Sequence, residues 1–425
     1  TAKSNIPVLY KQNTTNDIFT LIYSFERGTN EDKYLSIATD YLDYLGTSKM
    51  SSKEIKTAFY GLACQYYVFV SDDQTQVLVS GLGENMKEAM TLVESLLADA
   101  QAAPQALDGV KADILKRRQN NKLNQNANFS QLRAYNVYGP KSPSTNILSN
   151  KEIKDLKDQD LLDRIHNINS YEHEILYYGP MTQDEIIATL AEVHNVPEEL
   201  APIIKNESFK EREISENQII IAPYDAKQIY LAGYSNRGET YDPAKAPIIA
   251  LYNSYFGGGM NAIVFQEMRE ARGLAYSAGA ALSSPSKKGK SYNYNMFIAT
   301  QNDKMIDALK AFDEIINEMP QSENAFDIAK ESLLANIRTT RVVKSSVLSK
   351  YLQMRELGLD YDINKDIFEK VQGYTMEDIV KFQQEWVKDR KYSIAILGDA
   401  KDLDLKGLKE YGTIKKVSTE EIFGY

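Results

Sequence analysis

Residues Tyr255–Ser277 read YFGGGMNAIVFQEMREARGLAYS, and the fold turns on what the three consecutive glycines are for. A phosphate-cradling loop of the Walker kind needs Lys followed by Ser or Thr after its glycines, because backbone amides alone do not neutralise a triphosphate. Here Met260 and Asn261 follow instead. The dinucleotide fingerprint needs spaced glycines opening a helix directly after a strand, whereas Tyr252 to Phe256 continues a helical pattern. The glycines therefore read as a tight helix-to-helix turn. Beyond them, a helix begun at Asn261 carries Arg269 in its last turn, Gly273 ends it, and Tyr276 starts the following strand.

Internal repetition extends this reading to the whole chain. ERGTNED, a helix and YLG in the first half match NRGETYD, a helix and YFG in the second, pairing Gly28 with Gly238 and Gly46 with Gly257. YGLACQY then pairs with RGLAYSA, setting Gly61 opposite Gly273 and Cys64 opposite Tyr276. After a longer turn in the second copy, SSPSKKGK, the spacing settles at 219 residues and stays there from Ala89 and Ala308 to Gly179 and Gly398.

Each copy reads as a strand, two helices, further strands, long helices and a last strand. Tyr292, Tyr294, Met296 and Ile298 alternate with Asn293, Asn295 and Phe297, the period of a strand with one buried face. Met305, Leu309, Phe312 and Ile316 recur at three and four, the period of an amphipathic helix. The expected fold class is α+β: two tandem homologous domains, each an antiparallel-rich sheet with helices packed on one face. The domains are set at 1–195 and 218–425, joined by a proline-bearing, charged linker at 196–217.

The chain of 425 residues is 43% hydrophobic, enough for two full cores. No apolar run reaches the eighteen or so residues of a membrane span, so no span is expected, and the composition predicts a soluble globular protein. The chain opens on Thr1 without an initiator Met and reads as a mature or excised segment. The compartment stays open, a periplasmic or other extracytoplasmic bacterial setting included. One cysteine, Cys64, excludes internal disulfides. The net charge of −10 is spread over mixed-sign segments, and LKRRQNNK at Leu115–Lys122 is the one local basic excess. Nucleic acid is therefore not an expected partner.

The tandem α+β halves, with FGGGMNAIVFQEMREARGLAYS opening the second, resemble one half of an M16 zinc endopeptidase (insulinase, pitrilysin or mitochondrial processing peptidase). The resemblance covers nearly the whole chain and implies a large peptide chamber closed between two such halves, fused or assembled from separate subunits. Zinc in that family is held by an inverted H-x-x-E-H, with a further Glu from a later helix. The matching place here is DYLDY: Asp40 and Tyr44 stand where the two His should be, and Asp43 where the base should be. The later helix, LDGVKADILKRRQN, offers no Glu. His166, His173 and His194 lie far from that helix in sequence, with no two four apart, and read as surface or packed residues. No metal is expected in this chain, and zinc is expected in the partner half.

The family's non-zinc half carries an Arg and a Tyr seven residues apart that reach across the chamber to the substrate; Arg269 and Tyr276 match. By that resemblance both bind substrate, and Tyr276, a neutral phenol at pH 7, supports the oxyanion forming at the metal. The alternative for the pair is structural, with Arg269 bonded to Glu267 or Glu270 and Tyr276 filling core. Two functional classes follow. One is the non-zinc half of an active endopeptidase acting on peptides, inactive by itself. The other is a non-catalytic scaffold or peptide-binding subunit of an M16-like assembly.

Overall fold

A computed structural model describes residues 1–425. The first half builds a sheet from β1 (Val8–Gln12), β2 (Ile18–Phe25), β3 (Cys64–Val70), β4 (Thr75–Leu82) and β5 (Glu174–Gly179), in the order β1-β5-β2-β4-β3. The second builds one from β6 (Gln218–Ala222), β7 (Ile229–Ser235), β8 (Ser277–Ser283), β9 (Asn293–Thr300), β10 (Ser393–Leu397) and β11 (Thr413–Lys416). Its order is β11-β6-β10-β7-β9-β8. Without the added edge strand β11, the second sheet repeats the first strand for strand. The one parallel pair of the first sheet, β1 with β5, is matched by β6 with β10. Register repeats too: Tyr66 opposes Val79 in the first sheet, and Ala278 opposes Ile298 at the equivalent place in the second.

Each sheet has its own core, of 37 buried apolar residues in the first half and 39 in the second, so neither half depends on the other to cover its main apolar face. In the first, helices Leu35–Leu42, Met86–Asp99 and Asp158–His166 lay Tyr41, Val93 and Leu161 against Leu21, Tyr23 and Val79. In the second, Leu309, Phe312 and Ile316 from helix Met305–Asn317 meet Tyr294, Met296 and Ile298 of β9. The alternation expected along β9 is present: Tyr294, Met296 and Ile298 are buried and Asn293, Asn295 and Phe297 half-buried.

The opposite faces are not left bare. Helix Gln125–Tyr138 of the first half packs Phe129, Leu132 and Tyr135 on the far side of the second sheet, against Ala232, Ala395 and Leu397. Helix Ser346–Glu356 of the second half does the converse, setting Leu348 on Leu176 and Tyr178 of the first sheet. Strands β6 and β10 are accordingly covered on both faces, which is why they read as unbroken apolar runs and not as alternating ones. Ion pairs from Arg355 to Glu174 at 2.7 Å and from Lys287 to Asp73 at 3.2 Å add polar contacts between the halves. Residues 196–217 carry no helix or strand and run between the halves along the first. No helix is long and apolar enough to cross a membrane.

Candidate functional site

The segment that carries Arg269 and Tyr276 is built by constraint at each step. Helix Ala246–Phe256 must stop where it meets β8: a Cβ on Gly257 would stand 1.6 Å from the carbonyl oxygen of Ala280. A short helix Ile263–Phe265 follows and widens into a π-helical turn, Gln266–Ala271, with Val264 and Met268 buried beneath it. Wide turns of this kind occur often at functional sites, because the inserted residue re-aims its neighbours. Gly273 then reverses the chain at φ +59°, a conformation that costs a side-chain-bearing residue roughly 1–2 kcal/mol. The carbonyl of Met268 accepts from the N–H groups of Leu274 and Ala275 at 2.9 and 3.2 Å, and the N–H of Tyr276 donates to Ala299 of β9 at 2.8 Å. The backbone on both sides of the pair is thereby fixed.

Fixed backbone presents exposed side chains. Tyr276 is 67% exposed and its hydroxyl has no hydrogen-bond partner in the chain. The Arg269 guanidinium carbon lies 5.5 Å from the Tyr276 ring centre and 5.1 Å from that of Phe265, within the range of a cation–π contact. Its one carboxylate neighbour is Glu270, at 3.6 Å from Nε. Arg272, one turn on, is engaged differently: Nη1 donates to Glu314 at 2.9 Å and Nε lies 3.5 Å from Glu267, and these carboxylates raise its pKa. Arg272 therefore braces the turn against helix Met305–Asn317, while Arg269 keeps its terminal donors available. A hollow of about 210 Å³ under Tyr276 is bordered by Gly273, Thr300 and Lys304. Phe265 escaped the sequence reading, although its spacing of four from Arg269 on one helix is the signal of a stacked pair.

At the place of the degenerate motif, Asp40 lies on helix Leu35–Leu42, with Asp43 and Tyr44 just past its end, and all three are exposed. Arg117, from the later helix Pro104–Leu123, brings Nη2 to 3.6 Å from Asp40. Partial desolvation by the surrounding protein raises the pKa of Asp40, and Arg117 opposes that rise. Asp43 and Tyr44 border an open hollow of about 550 Å³ shared with Lys53, Lys56 and Tyr60. These residues do not fit zinc, because a guanidinium and two ammonium groups surround two carboxylates and one phenol, with no imidazole among them. No group of three or more His, Cys, Asp or Glu is placed to hold a metal ion.

The three histidines are packed or hydrogen-bonded, and two of them are not isolated. His166 lies 2.9 Å from the carbonyl of Ala100. His173 and His194, separate in sequence, meet through Nε2 atoms 2.9 Å apart, and His194 Nδ1 lies 2.6 Å from Glu94. No sequence spacing could have signalled that, since each comes from a different element.

Residues 159–333 match the family model described as the peptidase M16 inactive domain. Over that segment the chain is similar to the M16 peptidase inactive domain. Both Arg269 and Tyr276 fall inside the matched segment. An uncharacterized zinc protease of Mycobacterium tuberculosis is 23% identical over 188 residues, 43% of this chain and 41% of that protein, so the match spans less than half of that relative's length. One of Rickettsia felis is 20% identical over 319 residues, 72% of this chain and 74% of that protein. Among solved structures, a peptidase M16 inactive domain from Pseudomonas fluorescens superposes with TM-score 0.73 at 17% identity, covering 94% of this chain and 97% of that one. The periplasmic protease PqqL from Escherichia coli gives TM-score 0.72 at 12% identity, over 93% of this chain and 44% of that one. The structural likenesses show the M16 fold, and the two relatives are themselves described as zinc proteases.

Proposed function

We propose that this chain is the zinc-free half of an M16-type metalloendopeptidase. It closes a peptide chamber against a zinc-bearing half, in the same polypeptide or in a separate subunit, and binds the substrate through Arg269 and Tyr276. One observation carries the reading: a π-helical turn braced by Arg272 and a positive-φ glycine hold an exposed Arg beside an exposed Tyr, with terminal guanidinium donors and a hydroxyl that nothing in the chain uses. A structural pair would be buried or internally bonded. Planar guanidinium donors suit successive peptide carbonyls, and a phenol un-ionised at neutral pH suits a developing oxyanion.

Asp40 paired with Arg117 supports a division of labour in which this half contributes no metal and the partner half holds zinc. Because this chain aligns with 44% of the PqqL chain, a fused arrangement of two such halves is one form the enzyme could take; an extracytoplasmic compartment would suit it. The test is reconstitution: the chain alone, the zinc-bearing half alone, and both together, each with an unstructured peptide. Cleavage confined to the mixture supports the proposal. Cleavage by the other half at an undiminished rate without this chain would reject it in favour of a scaffold role.

A further inference from the structure

The first half buries a hydrogen-bonded run of ionisable groups that the peptide site does not use. Glu94 lies on helix Met86–Asp99, His194 caps the C-terminus of helix Gln183–Val193, and His173 immediately precedes β5. All three are buried. Proton counting sets what the three contacts require. The Tyr171 carbonyl can only accept, so His173 Nδ1, 2.7 Å away, carries a proton. The contact between the Nε2 atoms needs a second proton and the contact between His194 and Glu94 a third. Two neutral imidazoles and a carboxylate hold only two. Glu94 Oε2 already accepts from Asn169 Nδ2 at 2.9 Å and from the Asn195 N–H at 3.3 Å, which favours the ionised carboxylate and leaves the third proton on His194.

We infer that Glu94, His194 and His173 form a proton-loaded latch that fastens the start of the inter-half segment to the first half. The fastening is direct, since Asn195 is bonded to Glu94 and the next residues run along the same surface. Ala201 N–H donates to Ser170 at 2.8 Å, and Glu172 N–H donates to Ala201 at 2.9 Å. Loss of the third proton leaves one of the two His194 contacts bare in a buried site, either the two Nε2 lone pairs facing each other or the Nδ1 lone pair facing the carboxylate, and opening relieves both arrangements.

The surroundings contain no cation that could replace it. From β2, Tyr23 places its ring 4.3 Å from His194, and burial together with the charge of Glu94 keeps its hydroxyl un-ionised. Phe25 lies tilted against His173 with ring centres 4.6 Å apart. Arg27 is occupied by Asp32 and by the Tyr171 ring. On the helix that His194 ends, Glu192 is paired with Lys87. The outer side of His173 borders a cavity of about 700 Å³ whose charged residues are chiefly acidic: Glu26 just past β2, Glu172 and Glu174 beside His173, and Glu198 and Glu199 from the segment itself. The two cations there are engaged, Lys205 with Glu26 and Arg355 with Glu174.

The test is amide exchange of Asn195, Ala201 and Glu172 in the full chain, corrected for the intrinsic rate, across pH 5 to 9 or so. Release of one proton on opening makes the opening constant rise about tenfold per pH unit once that proton begins to leave. Glu94→Gln supplies the control, because its amide oxygen can accept from Asn169 and Asn195 while its amide nitrogen donates to neutral His194. That variant should stay latched with no pH slope. Imidazole nitrogen NMR of the wild type gives a second reading independent of any variant: both His194 nitrogens protonated at neutral pH, and His173 protonated at Nδ1 alone. A flat wild-type profile, a Glu94→Gln profile that follows the wild type, or a neutral His194 at neutral pH would each overturn the latch.

Discussion

Phe129 and Leu348 stand 219 residues apart, the interval at which the chain repeats, and each packs on the sheet of the half to which it does not belong. The two halves are therefore joined by an exchange of equivalent helices as well as by the segment between them. Phe129 meets Tyr230 and Phe297 at ring distances of 5.3 and 5.7 Å. Removing it leaves a cavity on the second sheet although the residue belongs to the first half. Phe129→Ala should cost about 3–5 kcal/mol. The sole tryptophan, Trp386, is half-buried and packs against the second core, so its fluorescence in a urea titration reports that half. The expected outcome is a lower midpoint by this probe; an unchanged midpoint would show that the halves unfold independently.

Much of this fold was legible in advance because it depends on local patterns that repeat. Alternation along β9, the three-and-four spacing in helix Met305–Asn317 and the glycines bounding Tyr255–Ser277 each leave a mark in consecutive residues. The exchange of helices did not, because QNANFSQLRAYNVY carries little apolar contrast: Asn128 and Asn136 are as buried as Phe129 and Leu132. Asn136 donates to the Ser393 carbonyl at 2.8 Å across the halves, a polar contact no periodicity announces. Arg269 and Tyr276 were visible through their motif. The placement of Arg269 beside Phe265 left a mark in their spacing of four, whereas the encounter of Glu94 with two histidines arises from tertiary placement alone.

Gly257 offers a test of how the site is positioned. Its missing Cβ is what lets the helix before it lie on the backbone of β8, so Gly257→Ala must push helix and strand apart. The expected loss is about 1–3 kcal/mol, the range of an overpacked core position. Gly259, with φ +104° and open space around it, would meet only the backbone penalty if changed to Ala, roughly 1–2 kcal/mol. Thermal unfolding that ranks the two in the opposite order would count against a positional role for Gly257.

Acid stability should reflect His173. Burial, reinforced by neighbouring His194, lowers its pKa to about 4. In the unfolded chain it would titrate near 6.5. Between those values the unfolded chain binds a proton that the folded chain refuses, so stability falls as the pH drops through that window and stops falling below it. At about 1.4 kcal/mol per pH unit the loss approaches roughly 3 kcal/mol. Urea midpoints measured from pH 7 down to pH 4 should show this limb, and His173→Gln should remove it while lowering stability at pH 7.

The remaining prediction concerns the peptide site in a reconstituted enzyme with the zinc-bearing half. Tyr276→Phe keeps the ring under Arg269 and removes one donor. If that donor meets the developing oxyanion, turnover should fall about a hundred- to a thousandfold, equivalent to about 2.7–4 kcal/mol. Tyr276 is exposed and its hydroxyl bonds to nothing in the chain, so the melting temperature should not move. Arg269→Lys keeps a charge but loses the planar fork, and should raise KM as well as lower kcat. Phe265→Leu leaves both donors in place but removes the second ring that holds the guanidinium, and should act mainly on KM. A stable Tyr276→Phe complex with wild-type turnover would remove the hydroxyl from the chemistry. Loss in all three variants that merely tracks a lowered melting temperature would reduce the pair to a structural element.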